Sequence, residues 1–224
     1  VSVLPTETRR GIAKAMISGA VSLAVDAGLK RVEVLCRREF PELANWWRKH
    51  GFGPLREVTA GIVLGRDLPV AVTVPTPAAM HALGVELAGL LRAGDVIIAT
   101  GDLGAGKTTL ARGIGEGLDV EGPVISPTFV LSRIHSARGD GPDLVHVDAY
   151  RMAGADELVD IDLDATLSRS VTLVEWGEGI AEWLSDERLE IDIDREVGDE
   201  ARRVTLTGTG PRWDGALEAL RRNP

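Results

Sequence analysis

Apolar residues recur every three or four positions across Gly11–Ala27, where Ile12, Ala15, Met16, Ala20, Leu23 and Ala24 share one face. That spacing predicts a helix, and Gly28 is a natural stop for it. The period shortens to two over Arg31–Cys36, as in a strand, then returns to helical spacing over Phe40–His50 before Gly51. Val1–Leu4 reads as a strand end, Pro5–Arg10 as a loop and Val58–Leu64 as a further strand. After the breakers Gly65-Arg66-Asp67-Leu68-Pro69, Val70–Val74 alternates again. Thr76 and Pro77 then suit the N-cap and first position of a helix over Ala78–Leu91, striped by Leu83, Leu87, Leu90 and Leu91.

Downstream, an apolar run at Val96–Thr100 meets a glycine-rich loop that opens into a helix reaching about Leu118. Strand patterns follow at Phe129–His135, Leu144–Asp148 and Ser170–Trp176, with late strands at Leu189–Ile193 and Arg203–Leu206. Asp156–Leu167 reads as an acidic helical excursion, Ile180–Leu184 as part of a short helix and Trp213–Arg222 as a closing helix. Strands alternating with helices predict an α/β fold with a mostly parallel sheet flanked by helices.

Charge divides the chain where the breakers do. Residues 1–67 carry 11 Lys and Arg against 7 Asp and Glu, whereas residues 68–224 carry 14 against 27. The second part is therefore strongly acidic, which argues against a free-standing nucleic-acid binder with a broad basic face. The expected organisation is a unit of residues 1–67 and a second of residues 68–224. Hydrophobic residues make up 44% and charged residues 26%, an ordinary soluble composition. Cys36 is the single cysteine, so no internal disulfide can form and a reducing, cytoplasmic setting is expected. No apolar run reaches the ~18 residues of a membrane span, and no signal-peptide pattern precedes the first residue. A start at Val1 rather than Met reads as a fragment or a non-standard start.

The glycine-rich loop carries the strongest chemical signal. Gly101, Gly106, Lys107 and Thr108 fit G-x-x-x-x-G-K-[ST], with Asp102, Leu103, Gly104 and Ala105 between them and Thr109 after. Glycines let backbone N–H groups approach phosphate oxygens, and the helix that follows aims its positive end at the same anion. In such loops the lysine reaches the β- and γ-phosphates and the hydroxyl ligates Mg²⁺. Asp148 and Glu175 end apolar strands, and ligands in open α/β sheets sit beyond strand carboxyl ends. Both carboxylates are thus expected to share a crevice with the P-loop. His81, His135 and His146 lack metal-ligand spacing and read as structural residues.

Two resemblances extend these readings. Thr8-Arg9-Arg10-Gly11-Ile12-Ala13 and Trp46-Trp47-Arg48-Lys49-His50-Gly51-Phe52 resemble the coenzyme A loop and a later segment of GNAT-type acetyltransferases. Thr8 stands where that family has Arg or Gln, and Trp47 where it often has a tyrosine general acid. Residues 1–67 therefore read as a partial GNAT-like α/β segment, a remnant rather than an active transferase, preceding the P-loop NTPase-type sheet. In the second part, Gly101–Thr109, Ser126-Pro127-Thr128-Phe129, His146-Val147-Asp148-Ala149-Tyr150-Arg151 and Val174-Glu175-Trp176 resemble, in this order, the TsaE (YjeE) family.

That resemblance implies a P-loop ATPase, slow alone, acting with a TsaB–TsaD-type complex to form threonylcarbamoyladenosine in tRNA, with tRNA met only through that complex. It implies ATP bound by Gly101–Thr109, with Thr76 near the adenine and Trp176 at the nucleotide or partner surface. It assigns Mg²⁺ to Thr108 and Glu175, the attacking water to Asp148, phosphate charge to Lys107, and a γ-phosphate-sensing role to Ser126–Phe129. Gly177, where proline is common, predicts a looser loop after Trp176. The residues themselves also admit a nucleotide-gated adaptor without useful hydrolysis, a small-molecule kinase, or coenzyme A binding by residues 1–67.

Overall fold

Glycine placement decides how tightly the helices of this protein pack. In the computed structural model, residues 12–152, 154–159, 161, 163–195 and 200–221 are described. Val1–Leu4 and the Thr8–Gly11 part of the coenzyme A-like loop lie outside the described residues. The chain divides into two units, Val1–Pro69 and Val70–Pro224.

The first unit contains α1 (Ile12–Asp26), β1 (Arg31–Arg37), α2 (Pro41–Arg48), β2 (Gly53–Val58) and β3 (Gly61–Asp67). Its antiparallel sheet has the order β1-β3-β2. Ile17, Cys36, Ala44, Trp47, Phe52 and Leu64 form its core. Trp47 packs edge-on against both Trp46 and Phe52, at centroid distances of 5.1 and 4.9 Å. The single strand expected over Val58–Leu64 is instead a hairpin, turning at Thr59-Ala60 between β2 and β3. Apolar alternation runs straight through the turn, so the period alone conceals it. Gly61 permits the turn-to-strand passage, since a Cβ there would lie 2.1 Å from the Cys36 carbonyl oxygen.

The second unit contains β4 (Val70–Val74), α3 (Pro77–Ala88), β5 (Val96–Thr100), α4 (Lys107–Gly117), β6 (Ser132–His135), β7 (Asp143–Asp148), α5 (Ala155–Val159), α6 (Asp164–Leu167), β8 (Ser170–Glu175), β9 (Arg188–Arg195) and β10 (Arg202–Thr209). Its sheet has the order β4-β10-β9-β5-β8-β7-β6. The four central strands β9, β5, β8 and β7 are parallel, and antiparallel strands close both edges. This is the expected α/β architecture, with β5 and its loop at the centre.

Two cores sandwich the sheet. One face packs Leu83 and Leu87 of α3, and Leu110 and Ile114 of α4, on Ile97, Leu173 and Ile191. The other packs Val96, Val145 and Val174 against Met152, Leu158, Leu163 and Ala181. Helices α3 and α4 meet backbone to backbone: a Cβ at Gly113 would lie 2.1 Å from the His81 carbonyl oxygen, and one at Gly84 2.4 Å from that of Leu110. A buried ion pair ties the end of the chain to the start of the P-loop strand. The Arg212 guanidinium grips both Asp95 oxygens, at 2.9 and 2.7 Å, and the Leu90 carbonyl at 2.6 Å.

Two further expectations are corrected here. The closing helix is two 3₁₀ turns, Pro211–Trp213 and Ala216–Leu220, because Asp214 is extended in ψ and Gly215 is left-handed at φ 70°. The strand expected from Phe129 begins only at Ser132, since the Pro127 carbonyl accepts the amides of Val130 and Leu131 and closes a turn first. Among the described residues no helix is long and apolar enough to cross a membrane.

Candidate functional site

Strand register assembles this site. Asp148 pairs with Glu175 across β7 and β8, and Glu175 pairs with Ala99 of β5, so both carboxylates and the P-loop emerge together at the carboxyl ends of the central parallel strands. Both carboxylates are buried, as is Lys107. The loop turns through Gly101, Gly104 and Gly106, with φ of 141°, 78° and 120°, values that favour glycine. A Cβ on Gly101 would also meet the Ile193 carbonyl oxygen at 2.5 Å. Ala105 anchors the loop in the core, its amide bonded to the Asp102 carbonyl, while Asp102 and Leu103 are exposed. Gly106 caps α4, and Thr108 and Thr109 lie half-buried in its first turn.

Lys107 folds back onto its own loop. Its Nζ donates to the carbonyls of Gly101 (2.5 Å) and Asp102 (3.0 Å) and lies 3.8 Å from the centroid of the Trp176 ring. Burial lowers its pKa from the ordinary lysine value, and the nearby carboxylates of Glu175, Asp148 and Asp102 oppose that shift. Trp176 itself has φ of 62°, a strained conformation for a bulky residue that costs about 1–3 kcal/mol. Its amide is fixed by the Ala99 carbonyl at 2.9 Å, and its ring tilts against Tyr150 at 5.1 Å. The left-handed turn and the amide bond together place the indole over the lysine.

Thr108 Oγ1 donates to Glu175, 3.0 Å from Oε1 and 3.3 Å from Oε2. The hydroxyl and carboxylate are hard oxygen donors, the kind Mg²⁺ takes beside phosphate oxygens and water. Asp148 is engaged by the preceding loop: Thr128 Oγ1 donates to its Oδ2, and Ser126 Oγ lies 2.6 Å from Thr128 Oγ1 and 3.4 Å from the same carboxylate oxygen. With the Thr128 proton given to Asp148, Ser126 donates to Thr128. Tyr150 N–H holds the other oxygen, Oδ1, at 3.0 Å. Phe129, next in that loop, is 86% exposed and lies under the Arg151 guanidinium at 5.0 Å. Thr76 caps α3 by accepting the Ala79 amide at 3.1 Å, and Met80 in the same first turn packs against Gly106.

The structure thus brings together Lys107, Thr108, Asp148, Glu175 and Trp176, with the start of α3 alongside. The loop after Trp176 differs from expectation. The Gly177 carbonyl accepts the amides of Ile180 and Ala181, and a Cβ there would meet Val174 at 2.9 Å, so the segment is closed rather than loose. His146, read as structural from spacing, proves to be hydrogen-bonded to Glu175 Oε1 at 2.8 Å. Its place two residues before Asp148 on one strand was a usable signal, because alternate strand residues share a face.

A sequence model of the family described as "Threonylcarbamoyl adenosine biosynthesis protein TsaE" matches residues 74–204. The tRNA threonylcarbamoyladenosine biosynthesis protein TsaE of Streptomyces coelicolor is 61% identical over 138 residues, covering 60% of this chain and 93% of that protein. The same-named protein of Bacillus subtilis is 41% identical over 149 residues, covering 66% and 90%. Among solved structures, YdiB of Bacillus subtilis superposes with a TM-score of 0.55 at 36% identity, over 68% of this chain and 93% of that one. A family match over more than half of the chain, on a P-loop sheet with both carboxylates in register, decides the assignment: this chain belongs to the TsaE family.

Proposed function

We propose that this protein is a Mg²⁺-dependent ATPase that serves the formation of threonylcarbamoyladenosine in tRNA, working in the cytoplasm with a TsaB–TsaD-type protein complex. The observation that carries the reading is the convergence of Lys107, the Thr108–Glu175 pair and Asp148 at the end of β5. The backbone amides of Gly104–Thr109 hold the phosphates at the positive end of α4. Lys107 exchanges its loop carbonyls for phosphate oxygens, a better-matched partner for a buried ammonium. Thr108 and Glu175 hold Mg²⁺, which neutralises phosphate charge when bound. Asp148 orients the attacking water. Thr76 stands at the nucleoside side and Trp176 borders the nucleotide or the partner surface.

No arginine finger is obvious from the sequence, so turnover alone is slow and rises when the partner complex is added. Lys107→Ala, assayed for ATP hydrolysis with the TsaB–TsaD pair, loses activity; wild-type rates in that variant would sink the reading. A second reading is favoured by the hydroxyl contacts on Asp148, which tie the Ser126–Phe129 loop to the nucleotide site. In it, ATP binding orders that loop to signal the partner, and hydrolysis is incidental. A Glu175→Gln variant that binds ATP without hydrolysis, yet sustains repeated rounds of tRNA modification, would select the adaptor reading. Residues 1–67 form a separate GNAT-like remnant in this proposal. Calorimetry with acetyl-CoA on the full chain should give no heat from them.

A further inference from the structure

The Glu175 carboxylate has a partner that the proposed chemistry does not use. His146 lies in β7 with its side chain wholly buried, and its Nε2 is 2.8 Å from Glu175 Oε1. A carboxylate oxygen accepts, so Nε2 carries the proton. Nδ1 is buried without a hydrogen-bond partner. An apolar side chain of similar shape would fill this place in the sheet without stranding a polar atom. The imidazole is therefore better explained by what it does to Glu175 than by packing.

Oε1 accepts from two donors of different freedom. The Thr108 hydroxyl bridges Oε1 and Oε2 on a rotatable proton. It cannot keep donating to Glu175 once its proton turns aside and its lone pair faces a cation. The His146 donor rides on a central strand, fixed by parallel pairing of His146 with Leu173, two residues before Glu175 in β8. It stays in place whichever way the hydroxyl turns.

We propose that His146 is a positioning residue: its Nε2–H holds Glu175 Oε1 so that the carboxylate stays aimed at Thr108 and the pair is preorganised for a divalent cation. This rests on the Mg²⁺ site proposed above. Donors that orient a ligating carboxylate commonly contribute 10- to 100-fold in metal affinity.

The test uses the full chain with Mn²⁺ as an electron-paramagnetic-resonance probe and a non-hydrolysable ATP analogue, and separately measures analogue affinity in EDTA. His146→Leu and His146→Ala should weaken Mn²⁺ binding by about 10-fold or more while leaving metal-free nucleotide affinity within about twofold. His146→Gln, whose amide N–H can reach the same oxygen, should restore Mn²⁺ affinity to within about threefold. Circular dichroism and melting check folding, and if the alanine variant does not fold, the leucine–glutamine comparison decides. Wild-type Mn²⁺ affinity in His146→Leu would overturn the inference, as would a folded His146→Gln no better than leucine. Parallel loss of metal-free nucleotide binding would reduce His146 to a structural strut. If the wild-type protein binds no Mn²⁺ with nucleotide, the Mg²⁺ reading itself fails and this inference with it.

Discussion

Asp95→Ala should destabilise the P-loop unit by about 3–5 kcal/mol, because it strands a buried guanidinium. Asp95 and Arg212 are almost wholly buried at their side chains, 4% and 10% exposed, and meet through two hydrogen bonds of 2.9 and 2.7 Å. Without the carboxylate, the Arg212 guanidinium keeps, among the described residues, the Leu90 carbonyl and its stacking on Trp213, at 4.4 Å from the ring centroid. Asp95 also accepts the Arg92 amide at 2.9 Å, so the turn entering β5 loses its brace as well. Arg212→Met, which keeps the packing stem, should cost somewhat less, since the Asp95 carboxylate keeps the Arg92 amide and a looser ion pair with the Arg92 guanidinium at 3.9 Å. The double variant should cost much less than the sum, as neither charge remains, giving a coupling of about 2–3 kcal/mol. Urea unfolding of the four proteins by circular dichroism measures this, at low and at 1 M salt. Burial makes the effect insensitive to salt. A loss below about 1 kcal/mol for Asp95→Ala, or strictly additive single losses, would refute the reasoning.

Other expectations are as direct to check. Gly113→Ala puts a Cβ 2.1 Å from the His81 carbonyl oxygen, forcing α3 and α4 apart, and should cost about 2 kcal/mol, or roughly 4–8 °C in melting temperature. Thr128→Val removes a donor to the buried Asp148 carboxylate from a half-buried position, and since Tyr150 N–H still holds the other oxygen, melting should fall only slightly while partner-stimulated ATP turnover drops; unchanged turnover would remove that contact from the mechanism. His135 has its pKa lowered from 6.5, first by burial and then by His146 and Arg133. The unfolded chain takes up a proton below about pH 6.5 more readily than the folded one, so stability should fall as pH drops from 7 toward 5. His135→Gln should flatten that slope in urea titrations.

The sequence by itself determined the centre of this protein. A strand, a glycine-rich loop with Lys107 and Thr108, and a helix are consecutive, and their chemistry is local: glycine torsions, an N-terminal dipole, a fixed spacing. Asp148 and Glu175 were legible too, because an apolar run ending in a carboxylate needs no partner to be seen. What surrounds them depended on contacts between residues far apart in the chain. Only strand register joined His146 to Glu175, and only the left-handed turn at Trp176 laid its ring over Lys107. The hairpin at Thr59-Ala60 and the broken closing helix were hidden for a related reason: apolar periodicity reports which face is buried, not where the backbone turns to bury it. Tertiary packing made that choice, by bringing backbones together at Gly61, Gly84 and Gly113 so closely that no side chain fits between them.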